Sequence, residues 1–145
     1  MDRRDDYPLM ELNFKQKDWD MMRAHVQSQA PLEACGLLAG KNNRVEKVFL
    51  IENKAKSRIR FRMNPKEQLN AFNWIESNEL DFIGIFHSHP AGPETVSATD
   101  IEEAAYPVTQ IIWSRSNGDW IARGFWIEKE RVSEVTLKII DNEQP

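Results

Sequence analysis

The sequence predicts one mixed α/β domain, residues 1–145, in which helices flank a central curved β-sheet. Its 145 residues match the usual size of a single domain, and a hydrophobic content of 41% is enough to build a core. Along the chain, apolar residues alternate between the spacing of strands and the spacing of helices. Residues 82–86 form an apolar run too short for a helix, which is typical of a buried central strand.

The first half of the chain predicts four strands and a helix. Trp19, Met22 and Val26 lie at helical spacing on one face, and Pro31 marks the end of that helix. A turn-like composition at residues 40–43 joins two strands into a hairpin. The predicted strands cover residues 9–14, 35–39, 45–52 and 58–62.

The second half predicts two helices and four strands. Pro65 opens a helix whose core stripe is Leu69, Phe72 and Ile75, with Trp74 beside it. A short helix is expected within residues 97–106. The predicted strands cover residues 82–86, 108–113, 120–127 and 132–140. We expect residues 1–7 and 141–145 to be flexible ends.

Composition excludes several classes of protein. The net charge of −4 argues against a general nucleic-acid binder. No apolar run approaches the roughly 18 residues that a membrane span requires, and the first residues lack the apolar stretch of a secretory signal. The single cysteine, Cys35, cannot form an internal disulfide, which is typical of a reducing compartment. We therefore expect a cytoplasmic protein with no membrane or nucleic-acid partner.

A candidate metal site begins at His87-Ser-His89-Pro, directly after the predicted central strand. Side chains at i and i+2 of a strand share one face roughly 6.5–7 Å apart, so both imidazoles can converge on one metal ion. Asp100 follows eleven positions later and can supply a third ligand, which leaves a fourth position open as in catalytic zinc sites. The alternative is a pair of partly exposed histidines, with Ser97 and Asp100 forming a helix capping box. Capping and metal binding are compatible.

Glu33 is the candidate for proton transfer. A metal-dependent hydrolase needs a group that moves the proton of the attacking water to the leaving group without being a metal ligand. Glu33 precedes a strand of small residues, where a carboxylate has no packing value. The alternative is a solvated loop carboxylate.

Together these residues resemble the motif of the JAMM (MPN-plus) metalloproteases, and the chain looks like the minimal prokaryotic type. That motif has a glutamate, then His-x-His-Pro, a serine after seven intervening positions, and an aspartate after two more, all of which are present. The resemblance implies a JAMM/MPN-like fold with cytidine-deaminase-like layering and one Zn²⁺ per chain. His87, His89 and Asp100 would bind zinc, Glu33 would act as general base and acid, and Ser97 would stabilise the oxyanion.

The resemblance also implies a substrate class. The family cleaves amide or isopeptide bonds after the C-terminal tail of ubiquitin or ubiquitin-like proteins, held as an added strand. No long insert separates Glu33 from His87, so we expect ubiquitin-like modifiers or sulfur-carrier proteins that end in Gly-Gly. Two alternatives stay open: a non-catalytic MPN-type interaction scaffold, and a cysteine hydrolase that uses Cys35. Arg58, Arg60 and Arg62 form a basic stripe that is either a solvated face or a dock for an acidic partner.

Overall fold

The computed structural model describes residues 10–140, in which seven strands and three helices alternate along the chain. The residues expected to be flexible, 1–7 and 141–145, lie outside this described part. The elements are β1 Glu11–Lys15, α1 Gln16–Gln29, β2 Cys35–Lys41, β3 Arg44–Ile51, α2 Pro65–Ser77, β4 Asp81–His89, α3 Ala98–Glu102, β5 Thr109–Ser116, β6 Asp119–Glu128 and β7 Arg131–Ile140.

The seven strands close into a barrel in the order β1-β3-β2-β4-β5-β6-β7. Pairing is mixed, because β1 runs parallel to β3 and β7, and β4 runs parallel to β5, while the other neighbours are antiparallel. The predicted mixed α/β domain is confirmed. The expected central curved sheet flanked by helices is found in a more closed form, since β1 pairs with β7 from Glu11↔Thr136 to Lys15↔Ile140 and so closes the sheet into a barrel.

Helix α1 packs on the barrel through the residues that the spacing predicted. Met22 and Val26 are fully buried, and Trp19 packs against their cluster. The Trp19 ring lies 5.0 Å from that of Trp113 and 5.2 Å from that of Phe14. This face of the barrel therefore holds the larger, aromatic core. Helix α2 packs on the second, smaller core cluster, which includes Cys35 and Ile85. None of the helices among residues 10–140 is long and apolar enough to span a membrane.

Residues 58–62 do not form the predicted strand. They belong to a loop between β3 and α2 whose only ladder-like contact among the described residues is the Asn53↔Met63 bridge. The buried Asn53 side chain takes the backbone groups that a strand would pair: it donates to the carbonyl of Arg60 and accepts from the N–H of Arg62. Ile59, on the supposed buried face, is 79% exposed. The alternation of charged and apolar residues at 58–62 predicted a strand that does not form, because bonds to the Asn53 side chain replace the backbone pairing of a strand.

Helix α2 begins at the predicted proline, with the Asn64 side chain accepting from two backbone N–H groups of its first turn. Ile75 is buried as expected, and Phe72 packs at the edge of the smaller core. Leu69, however, is 58% exposed. The helix instead faces the barrel with the small Ala71, four positions before Ile75, so the contact stripe is rotated away from Leu69.

Candidate active site with a metal-binding group

Strand β4 holds the two histidines inside the barrel wall. β4 pairs with β2 on one side and β5 on the other, and this register includes Cys35↔His87 and His89↔Ser114. His87 is 1% exposed and His89 is 5% exposed, so the alternative of a partly exposed pair at a strand end is wrong. Their Nε2 atoms lie 3.2 Å apart. Both rings therefore point into one small volume, as the i, i+2 spacing predicted.

Asp100 places one carboxylate oxygen beside each imidazole. Its Oδ1 lies 3.2 Å from Nε2 of His87, and its Oδ2 lies 3.1 Å from Nε2 of His89. One ligand atom from each of the three residues lies within 4.8 Å of the other two, so the three side chains can share one metal ion. Nδ1 of His89 lies 2.9 Å from the carbonyl oxygen of Pro93. Because a carbonyl only accepts, Nδ1 carries a proton, and Nε2 is the atom of His89 that a metal ion can bind.

The charges of the group suit a cation. Burial lowers the pKa of His87, which keeps its imidazole neutral as metal binding requires. Burial alone would raise the pKa of the Asp100 carboxyl, but hydrogen bonds with His87 and His89 outweigh it and hold that pKa far below its usual range. Burial would lower the pKa of His89, but its bonds with Asp100 and with the Pro93 carbonyl raise it, so a metal ion would displace a proton from this ring. Without that proton the site offers two imidazole nitrogens and one ionised carboxylate, a donor set that zinc accepts.

Asp100 is also held by the start of helix α3. The Ser97 N–H donates to Oδ2 of Asp100 at 2.8 Å, and the Asp100 N–H donates to Oγ of Ser97 at 3.0 Å. This is a complete capping box, so the capping and metal-binding interpretations describe the same geometry. The helix itself is shorter than the span of 97–106 that the sequence predicted.

Glu33 lies in the same site and is not a solvated loop carboxylate, because only 4% of it is exposed. Its N–H donates to the carbonyl of Ser57 at 2.8 Å, and its carbonyl accepts from Nδ2 of Asn53 at 2.9 Å. Burial raises the pKa of its carboxyl to about 7, with His89 opposing the shift and Asp100 adding to it. A carboxyl with this pKa can both accept and donate a proton at neutral pH.

Two positioning residues were missed by the sequence analysis. Between the histidines, Ser88 faces the other way, where its Oγ accepts from the N–H of Ala34 at 2.8 Å and its N–H donates to the Ala34 carbonyl at 3.0 Å. This pair of bonds fastens the residue after Glu33 to the strand of the metal ligands. Asn53 is the second, since it bonds the Glu33 carbonyl from the neighbouring loop. A buried polar residue that needs a partner was the available signal for Ser88.

A cleft of about 260 Å³ opens beside the group of metal ligands. Its lining includes His87 and Asp100, and apolar side chains supply most of the remainder, among them Phe61, Met63 and Tyr106. The Phe61 ring stacks on His87 with centroids 4.5 Å apart and planes at 28°. The cleft is thus continuous with the group of candidate metal ligands, and its volume is enough for one amino-acid residue of a bound molecule.

Arg123 borders the same face from strand β6. The register His87↔Ile112↔Arg123 places it in one row with a metal ligand across β4, β5 and β6. Its guanidinium forms an ion pair with Glu134 at 2.9 Å and with Glu94 at 3.5 Å. The second pair fastens the segment that leads from the histidines to the capping box.

Cys35 lacks the properties of a nucleophile. It is fully buried, and its Sγ lies 3.6 Å from the carbonyl oxygen of Ile51. Burial, with smaller contributions from Glu33 and Glu67, raises the pKa of its thiol to about 12. Since the thiolate is the reactive form, this environment counts against the cysteine-hydrolase alternative.

The fold and site can now be compared with known proteins. Residues 15–128 match the family model described as prokaryotic homologs of the JAB domain. The chain belongs to this family. It is 40% identical over 117 residues to a desampylase from Pyrococcus furiosus, a match that spans 79% of the chain and 81% of that protein. The predicted membership of the prokaryotic JAMM/MPN group is therefore confirmed.

Other relatives support the same family. The chain is 37% identical over 92 residues to a probable TtuB-protein conjugate cleaving protease from Thermus thermophilus, across 63% of the chain and 62% of that protein. It is 34% identical over 88 residues to a CysO-cysteine peptidase from Mycobacterium tuberculosis, across 59% of the chain and 60% of that protein. The named relatives are thus peptidases and conjugate-cleaving proteases.

Solved structures agree with the fold. The solution structure of a protein from Desulfitobacterium hafniense is 33% identical, has a TM-score of 0.81, and the match covers 90% of the chain and 93% of that protein. A JAB1/MPN domain protein from Archaeoglobus fulgidus, 16% identical, has a TM-score of 0.58 over 90% of the chain and 98% of that structure. The second likeness shows that the barrel is a JAB1/MPN fold.

Proposed function

We propose that the protein is a zinc-dependent hydrolase that cuts amide or isopeptide bonds after the C-terminal Gly-Gly of a ubiquitin-like or sulfur-carrier protein. The observation that carries this proposal is the group of His87, His89 and Asp100, in which one ligand atom from each residue lies within 4.8 Å of the others, next to the buried Glu33 carboxyl. The relatives named as proteases of protein conjugates and as a CysO-cysteine peptidase support the substrate class.

In this proposal His87, His89 and Asp100 hold one zinc ion, which supplies Lewis acidity to polarise the scissile carbonyl and to acidify water. Glu33 accepts the proton of the attacking water and returns it to the departing amine. Burial raises its pKa to about 7 in the metal-free site, and the charge of a bound zinc ion would lower that pKa and favour the carboxylate that accepts the proton. The Glu33 N–H donates to the Ser57 carbonyl, and the Asn53 side chain donates to the Glu33 carbonyl, so the residue is held in place while the proton moves.

Ser97 is the proposed donor to the oxyanion. Its Oγ already accepts the Asp100 N–H, so the hydroxyl proton is free to point toward the substrate. Because the capping box fixes the position of Oγ relative to the Asp100 carboxylate, the donor is preorganised with respect to the ligand group.

The substrate tail would lie extended across the site. Since the seven strands close into a barrel, a tail held as an added strand would pair with backbone that borders the site outside those strands. The loop after β3 and the segment between His89 and Ser97 border the ligand group, and we propose that the tail runs between them. A backbone this close to the ligands leaves little room for side chains, which favours glycine in the last tail positions.

The competing scaffold function lacks a supporting observation. A non-catalytic family member has no need of a complete ligand set, a buried proton-transfer residue and an open cleft at the same place. Here the described residues supply all three.

The test is cleavage of reporter fusions by zinc-loaded protein. The fusions carry one ubiquitin-fold domain and differ only in the tail, Gly-Gly or Ala-Ala. We expect Gly-Gly to be cut at least about tenfold faster, and we expect the His87→Ala, His89→Ala variant to cut neither. Equal cutting of both tails would indicate a general peptidase, and cutting by the variant without ligands would refute the metal mechanism.

A further inference from the structure

The loop between β3 and α2 concentrates the positive charge of the chain. Residues 52–64, here called the basic loop, contain one carboxylate, Glu52, and five cations. The cations are Lys54, Lys56, Arg58, Arg60 and Arg62. This gives the loop a formal charge of +4 in a chain of −4, so that the other residues together carry −8. A concentration of positive charge on one loop suits the binding of a negatively charged partner, whereas solubility requires no such separation of charge.

The cations of the basic loop are available to a partner. All five side chains are exposed, and none forms an ion pair with another residue of the described part, 10–140. Ile59 lies between Arg58 and Arg60 and is 79% exposed. An apolar side chain surrounded by unpaired cations resembles a small protein interface, with an apolar centre and a charged rim.

The basic loop is also held in one shape. The buried Asn53 side chain donates to the carbonyl of Arg60 at 3.1 Å and accepts from the N–H groups of Ala55 and Arg62, both at 2.9 Å. The Lys54 N–H donates to the Arg62 carbonyl at 2.7 Å. Binding of a partner would therefore cost little conformational entropy in the loop, because the loop backbone is already fixed.

The basic loop reaches the candidate active site at two points. The Ser57 carbonyl accepts from the Glu33 N–H, and the Phe61 ring stacks on His87. A protein whose tail enters this site must bring its folded body against the same loop. We propose that the basic loop docks an acidic face of the ubiquitin-like partner, next to its tail, with Ile59 in an apolar contact at the centre. The identity of the partner rests on the proposed function, while the charge of its docking face rests on the loop.

A protein partner is favoured over a nucleic acid by the exposed Ile59. This side chain would have no apolar surface to meet on a phosphate backbone, whereas a protein face can offer one. The sequence left two interpretations of the stripe of Arg58, Arg60 and Arg62 open, a solvated face and a dock for an acidic partner. The proposal assigns the stripe to docking.

The experiment measures binding and so does not depend on catalysis. The ligand is a labelled ubiquitin-fold domain that already ends in a free Gly-Gly, carries a strongly negative net charge and is titrated at 50 mM salt. The loop variant, Arg58→Glu with Arg60→Glu, is compared with the parent. The control variant, Arg23→Glu with Lys41→Glu, reverses the charge of two exposed residues, one on α1 and one at the far end of β2. A second domain has the carboxylates around its tail changed to lysine.

We expect the loop variant to raise the Kd for the acidic domain by roughly tenfold at 50 mM salt, with a much smaller difference at 500 mM, and the control variant by less than about twofold. The lysine-bearing domain should bind more tightly to the loop variant than to the parent, and this binding would also show that the variant is folded.

Equal Kd values for parent and loop variant, or no binding of the acidic domain by the parent, would overturn the docking proposal. Tighter binding of a 20-nucleotide single-stranded DNA, lost in the same variant, would overturn it in favour of a nucleic acid. Cleavage of Gly-Gly fusions by the parent is scored separately and tests only the proposed function.

Discussion

Replacing Glu33 by glutamine should stabilise the metal-free protein while it stops hydrolysis. Burial raises the pKa of the Glu33 carboxyl to about 7, against an ordinary value of 4.5. The folded state therefore binds this proton more tightly than the unfolded state, and the parent loses stability as the pH rises from about 4.5 to about 7. Glutamine cannot ionise, so Glu33→Gln avoids that loss.

The size of the effect follows from the shift. Each pKa unit corresponds to about 1.4 kcal/mol, so that a difference of ~2.5 units gives about 3 kcal/mol as an upper limit and about 2 kcal/mol after local relaxation. For a domain of this length the gain in Tm at pH 8 should be about 5–10 °C, and it should shrink toward zero as the pH falls to about 4.5. Bound zinc should reduce the gain at pH 8, because its charge favours the carboxylate of the parent.

The assay is thermal unfolding followed by circular dichroism at pH 5, 6, 7 and 8, in chelator and in zinc, with cleavage of a Gly-Gly fusion measured on the same samples. Glu76→Gln is the matched control, since Glu76 is exposed on α2 and its change should move Tm by less than about 1 °C. Cleavage by Glu33→Gln should fall by roughly 100-fold or more. A variant that is no more stable than the parent at pH 8, or one that cuts at the parental rate, would refute the reasoning.

Three further changes test neighbouring parts of the site. Purified protein should hold about one zinc per chain by elemental analysis, and His87→Ala, His89→Ala should hold close to none; zinc retained by that variant would place the metal elsewhere. A strong chelator should abolish cleavage while Cys35→Ser keeps most of it in the same assay, and the reverse result would make the thiol the nucleophile. Ser88→Ala should lower the free energy of unfolding by about 1–3 kcal/mol in urea titrations, because the buried Ala34 N–H loses its acceptor, and kcat should fall with KM little changed; an unaltered kcat would limit Ser88 to a structural role.

The metal-binding group was predictable because each of its parts follows a local rule. His87 and His89 share a face through the two-residue period of a strand, and Asp100 is placed by a capping box that the four residues from Ser97 specify. Neither rule needs knowledge of the remaining fold. The same locality explains why α1 was predicted together with its buried face.

The surroundings of the group depend on contacts between distant segments and could not be read in the same way. Burial of Glu33, which sets its pKa, requires the loop around Asn53 and Ser57 to cover it from twenty or more positions away. The alternation at residues 58–62 fits a strand equally well until the Asn53 side chain is seen to occupy the backbone groups. Closure of the barrel likewise depends on β1 meeting β7 across nearly the whole chain.

The closed barrel has one weak seam, and its location affects how the molecule fluctuates. β1 is paired with β7 at five positions but with β3 only at Asn13↔Arg44, supported by the Asn13 N–H bond to the Asn43 carbonyl. Arg44 lies opposite Lys41, at the end of the β2–β3 hairpin that is remote from Cys35 and from the histidines at the far end of β4. Transient opening of the wall should therefore begin there, and amide hydrogen exchange at this seam should be fast while β4 stays protected. We therefore expect local opening of the barrel at the β1–β3 seam to leave the positions of His87, His89 and Asp100 unchanged.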